Sequence, residues 1–130
     1  MKRFEIWTAD MPKKSDSSLK HGRRPVIIVS DDDYYVDLPY VSIVPLTKDL
    51  TTTQLPSHVL LCSRYLEQPS RALCEQITTV DKSCLHRRIG YVEEPYDRFA
   101  INRALAVHLN LTLTSYIYEK EDSLYEVGSL

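Results

Sequence analysis

Apolar and polar positions alternate near the start of the chain, with Phe4, Ile6 and Thr8 set against Glu5, Trp7 and Ala9 before Asp10-Met11-Pro12 closes the run. A period of two predicts a half-buried first strand. Residues 13–24, KKSDSSLKHGRR, then hold no apolar side chain except Leu19, which predicts a surface loop. Pro25 opens the stretch at 26–30, where Val26-Ile27-Ile28-Val29 is apolar without interruption. Burial on both faces, and so a central strand, is the expectation. After the polar excursion Asp31-Asp32-Asp33-Tyr34-Tyr35, residues 40–47 read as β, with Val41, Ile43 and Leu46 facing a core. Pro45 cannot donate to a ladder, so it is expected at an edge or a bulge.

Further strands are expected at 58–62, 72–80 and 89–92, separated by turn material at Gln68-Pro69-Ser70 and Asp81-Lys82-Ser83. Glu93-Glu94-Pro95 has the signature of a helix start, with acids at the positive end of the dipole and proline in the first turn. Tyr96, Phe99, Ala100, Arg103, Ala104 and Val107 recur at three- and four-residue intervals, which predicts one helix over 95–110 with that stripe on the sheet. The expected architecture is mainly β with a C-terminal helix, spanning residues 1–111. Residues 112–130 are expected to be a partly disordered acidic extension.

At 130 residues there is room for one domain only. With 43% hydrophobic and 26% charged residues the composition is that of an ordinary globule. The three glycines (Gly22, Gly90, Gly128) allow no clustered phosphate-binding loop, which removes P-loop and dinucleotide enzymes. Four aliphatic residues in a row are far short of the roughly 20 that a membrane-spanning helix needs. No apolar signal region follows Met1-Lys2-Arg3, so the expected compartment is the cytoplasm. Cys62, Cys74 and Cys84 lie 12 and 10 residues apart, without a Cys-x-x-Cys unit. They read as reduced, packed thiols; no metal and no cofactor is expected.

The formal charge of −2 conceals a segregation. Through Arg24 the chain carries seven basic residues and three acids, whereas residues 112–130 carry four acids and one lysine. The loop with Lys13, Lys14, Lys20, Arg23 and Arg24 faces only Asp16, a pattern suited to attracting phosphate.

Four separated motifs, in order Glu5-Ile6-Trp7, Gly22-Arg23-Arg24-Pro25-Val26-Ile27-Ile28, Ile43-Val44-Pro45-Leu46-Thr47 and Cys74-Glu75-Gln76-Ile77-Thr78-Thr79-Val80-Asp81, resemble the MazF/PemK family of toxin endoribonucleases. The likeness runs from about Lys2 to Leu111. It implies a small SH3-like barrel of the MazF/PemK/CcdB superfold with a terminal helix. It also implies a homodimer that cuts single-stranded RNA, such as mRNA, without a metal, and a cognate antitoxin that occupies the RNA groove. DNA would be met only through the antitoxin, in an operator complex.

By the same resemblance Arg24 and Thr47 are the catalytic positions. Gln76 and Thr79 lie on the RNA-binding surface with the acidic Glu75, and Lys13, Lys14, Lys20, Arg23, Lys48 and Thr78 complete the expected RNA contacts. The chemistry agrees. Attack by a ribose 2′-OH needs a base, donors for the developing phosphorane charge, and an acid for the 5′-oxygen. Arg24 suits the middle role, because its planar fork binds two phosphoryl oxygens at once. Thr47 is expected to donate a hydrogen bond to the same phosphate.

Three departures stand out. Leu19-Lys20 replaces the Glu-Gln pair that most of the family carries, so a carboxylate is missing and His21 is the candidate substitute. Thr78 replaces a basic residue, and Phe4 stands where glycine is usual. The altered loop leaves a second reading open: a binding module that retains the fold and binds RNA or inhibits a topoisomerase. His58, His86 and His108 are expected to be structural.

Overall fold

The computed structural model describes residues 1–111 apart from positions 14, 32, 34 and 35. Lys14 and the whole expected extension at 112–130 therefore lie outside the described residues. The described residues form seven strands: β1 (Glu5–Met11), β2 (Gly22–Ile28), β3 (Tyr40–Thr47), β4 (His58–Leu61), β5 (Ser70–Leu73), β6 (Thr78–Asp81) and β7 (Leu85–Tyr91). The helix α1 (Pro95–His108) follows. All pairings are antiparallel, in the order β4-β5-β3-β2-β1-β7, with β6 also on β3. Among the described residues no ladder joins β4 to β7, so the sheet is open along that seam.

The Val26–Val29 run is central because it feeds two cores. Ile27 and Val29 join Ile6, Val44, Leu46, Leu61, Ile101 and Ala104 on the face covered by α1. Val26 and Ile28 join Ala9, Met11, Val41, Ile43 and Leu85 on the other face. Alternation thus sends successive residues to opposite sides of one sheet.

Several expectations change. Pro45 lies in an interior strand, opposite Val26 on β2. On its other side β3 pairs with β6 through Ile43 and with β5 from Leu46 onward, so Val44 and Pro45 fall where the neighbour changes. A missing N–H costs nothing at that point. The expected strand at 72–80 is broken by a 3₁₀ turn at Cys74–Gln76, which lets β5 and β6 both pair with β3. A second 3₁₀ turn occupies Lys82–Cys84. Arg23 and Arg24 leave the loop and belong to β2, opposite Asp10 and Ala9.

The helix keeps part of its expected stripe, with Ala104 buried and Ala100 packed against the core, but Tyr96 and Phe99 are 79% and 58% exposed and Ile101 and Ala106 are buried in their place. Arg98 folds back to donate to the Val92 carbonyl at 2.7 Å and lies over the Phe4 ring. Asn110 (φ 55°) closes α1, with the Leu111 amide donating to the Ala106 carbonyl. Of the three thiols only Cys74 is buried; Cys62 is exposed and Cys84 half-buried, and all are free.

Phe4 explains its own substitution. Its φ of 71° is in the left-handed region that favours glycine. Its amide donates to the Ile28 carbonyl and its carbonyl accepts from the Val92 amide. The ring is buried beneath the Arg3 guanidinium.

Candidate ribonuclease site

Arg24 is held at the start of β2 by two carbonyls. Its Nε and Nη2 donate to His21 O at 3.1 and 3.0 Å, and Nη1 donates to Leu46 O at 3.2 Å. Burial lowers its pKa from the ordinary value, so the guanidinium gains from any anion placed against it. The β2–β3 ladder ends at Val26↔Pro45, and Arg24 and Thr47 each lie two residues beyond it, linked through the bond from Arg24 to the carbonyl of Leu46, the residue before Thr47. Thr47 is buried, and its Oγ1 accepts the Asp49 amide at 3.2 Å. Its hydroxyl proton is left free to donate. The structure thus brings the two expected catalytic positions together at the ends of adjoining strands.

His21 is exposed, and its Nδ1 lies 3.3 Å from Leu19 O. A carbonyl only accepts, so Nδ1 is assigned the proton, and in the neutral ring Nε2 is then the acceptor. The Gly22 that follows has φ of 79°, which turns the loop sharply into β2. His21 lines a cavity of about 240 Å³ with Lys20, Glu75, Gln76, Thr78 and Thr79, whereas Arg24 opens into a larger cleft. The His21 carbonyl joins the two.

Gln76 fixes the loop, since its Oε1 accepts the Lys20 amide at 2.9 Å. Glu75 is turned the other way, toward β4. Its Oε2 lies 2.8 Å from His58 Nε2 and 3.4 Å from Ser57 Oγ. Because His58 Nδ1 accepts the Leu55 amide at 3.1 Å, Nε2 must be the protonated nitrogen that donates to Glu75. Glu75 Oε1 is buried and has no hydrogen-bond partner among the described residues. Burial, and next the Glu75 charge, push the Cys74 thiol up to about 12.

The remaining expected RNA contacts divide. Lys13 is exposed, and Thr78 and Thr79 are exposed on β6, where Thr79 Oγ1 lies 3.2 Å from Ser42 Oγ. Arg23 is engaged bidentately by Asp10 at 2.8 and 3.0 Å, and that hydrogen bond holds the Asp10 carboxyl below its usual range. Lys48 is paired with Glu67 at 2.7 Å. The sequence reading missed His58 as the partner of Glu75, and it missed Arg64, Tyr65, Arg87 and Arg88 in the larger cleft. The tandem Arg87-Arg88 was the only available signal, and it carries no motif. Among the described residues no group of three His, Cys, Asp or Glu is placed to hold a metal ion. No helix there is long and apolar enough to cross a membrane.

Comparison with known proteins gives the family and the fold. The chain is 30% identical over 113 residues to an endoribonuclease MazF of Staphylococcus saprophyticus, which covers 85% of this chain and 92% of the relative. It superposes with a TM-score of 0.70 and 26% identity on a mycobacterial endoribonuclease solved in complex with its cognate antitoxin, covering 86% of this chain and 97% of that one. A MazF from Deinococcus radiodurans, 14% identical, shares the fold with a TM-score of 0.72 over 85% of this chain and 97% of its own. Residues 2–109 match the family described as PemK-like, MazF-like toxins of type II toxin–antitoxin systems, and the chain belongs to that family.

Proposed function

We propose that the protein is a toxin endoribonuclease that cuts single-stranded RNA without a metal. The observation that supports this reading best is the placement of Arg24 against the Leu46 carbonyl, with Thr47 next in the chain. A phosphate seated there receives the guanidinium fork and the Thr47 hydroxyl together, and both stabilise charge that grows as the phosphorane forms. The 2′-oxygen forms a bond to phosphorus as its proton passes to His21 Nε2. The bond to the 5′-oxygen breaks, and that oxygen takes a proton from solvent. The products are a 2′,3′-cyclic phosphate and a free 5′-hydroxyl.

In this reading Lys13, Lys14, Lys20, Arg23 and Lys48 attract the phosphates. Gln76, Thr78 and Thr79 form the floor on which bases lie, and Glu75, bonded to His58, supports that floor from behind. A homodimer and a cognate antitoxin complete the assembly, the latter by analogy with the mycobacterial relative solved with its own antitoxin. Incubation of purified protein with a long single-stranded RNA in EDTA tests the proposal. Cut RNA with cyclic-phosphate ends, lost in Arg24→Ala, is the expected result. Intact RNA that nevertheless binds tightly overturns it in favour of a binding module.

A further inference from the structure

A cleft of about 750 Å³ extends from Arg24 away from Gln76, across β1 to β7 and to the β4–β5 connection. Six cations line it, Arg23, Arg24, Lys48, Arg64, Arg87 and Arg88, against one acid, Glu67. Four of these cations have carboxylate partners: Arg23 has Asp10, Arg88 has Glu5, Arg64 has Glu93, and Lys48 has Glu67. Arg87 is exposed, and no side-chain partner is seen for it among the described residues. Its place is fixed by register: Arg87 is opposite Thr8, which is opposite Pro25, so it stands two strand spacings, about 10 Å, from the residue that follows Arg24.

The cleft also holds an aromatic platform. The Tyr65 ring packs directly over Gly90, where any Cβ would collide with it. Arg64 lies over the same ring, 4.9 Å from its centroid, and is locked by two bonds to Glu93 and one to the Tyr65 hydroxyl. A fixed guanidinium plane on an aromatic ring is a surface on which a nucleobase stacks, whatever its identity.

We propose that this cleft is a second half of the RNA track, holding the strand on the far side of Arg24 from Gln76. Arg87 and Arg88 take backbone phosphates, and the Arg64–Tyr65 pair takes one base. The inference rests on the endoribonuclease reading for its substrate, but it makes a separate claim. A lone phosphate site needs neither a platform nor a line of cations crossing three strands; a continuous single strand uses both.

The test is binding of a 2′-O-methylated RNA oligomer, which cannot be cut, to wild type, Arg87→Ala and Arg87→Glu over a range of salt. Arg87 is exposed on a strand, so the variants are expected to fold. Loss of one phosphate contact lowers the log–log salt slope by about 0.7, and affinity is expected to fall roughly fivefold in the alanine variant and further in the glutamate variant. Tyr65→Leu is expected to weaken binding about tenfold with no change in slope. Wild-type affinity and slope in Arg87→Glu overturn the proposal, as does a change in mass by light scattering with the slope unchanged, which assigns the cleft to contact between copies. Because the oligomer is uncleavable, the result is independent of whether the wild type cuts RNA in EDTA.

Discussion

Gln76 on the 3₁₀ turn after β5 accepts the amide of Lys20, 56 residues earlier in the chain, at 2.9 Å. The next residue, His21, gives its carbonyl to Arg24. A side chain that reads as an RNA contact therefore also sets the position of the guanidinium through one turn of loop.

Gln76→Ala is expected to release this loop. A hydrogen bond of this kind contributes about 1 kcal/mol, so RNA cleavage is expected to fall roughly fivefold. Faster hydrogen exchange at the Lys20 amide identifies the cause. Unchanged exchange there, with reduced cleavage, points to lost RNA contact alone.

Arg24→Lys is expected to be nearly as damaging as Arg24→Ala, with cleavage lowered about 10²- to 10³-fold in each. A single ammonium cannot hold His21 O and Leu46 O and also present two donors to phosphate. Steady-state cleavage on a fluorogenic RNA checks this, and substantial activity in the lysine variant contradicts the fork argument.

His58→Phe is expected to destabilise the protein by about 1–3 kcal/mol, because it leaves the half-buried Glu75 carboxylate with only the long Ser57 contact. Adding Glu75→Gln is expected to recover part of that loss. Urea unfolding of the four proteins closes the cycle, and strict additivity shows that the pair is not coupled.

Cys74 gives an alkaline dependence. Its thiol has an ordinary value of 9.0 in the unfolded chain and about 12 when folded, so the stability it confers is complete below pH 9. It declines as pH rises from 9 toward 12, by up to about 1.4 kcal/mol per pH unit. Cys74→Ala is expected to flatten that part of the stability curve relative to wild type. Alkylation at pH 8 is expected to label Cys62 quickly and Cys74 only on unfolding.

Phe4→Ala is expected to cost about 3–5 kcal/mol in urea unfolding, since the buried ring is lost while the left-handed backbone is retained. A smaller loss means that Arg3 and Arg98 close over the gap.

Sequence alone determined the β-rich architecture, the central place of Val26–Val29, the terminal helix, and Arg24 and Thr47 as a candidate pair. These are legible because each rests on a local period or on a motif whose spacing survives in the chain. Tertiary structure decided the rest. Pro45 sits inside the sheet only because β3 changes neighbours beside it, and no local signal records which strand lies alongside. The face that α1 buries adds Ile101 and Ala106 to the expected Ala104 and leaves Tyr96 and Phe99 in solvent, because what the sheet presents beneath the helix is not written in the helix's own spacing. Charge was the least readable property. The cationic loop stood out as a run, yet Arg23 is tied to Asp10 and Lys48 to Glu67, while Arg87 and Arg88 join the same cleft from a strand 63 residues beyond Arg24. Coulombic fields add up over distances in space, and only the folded sheet brings those distances within reach of one phosphate chain.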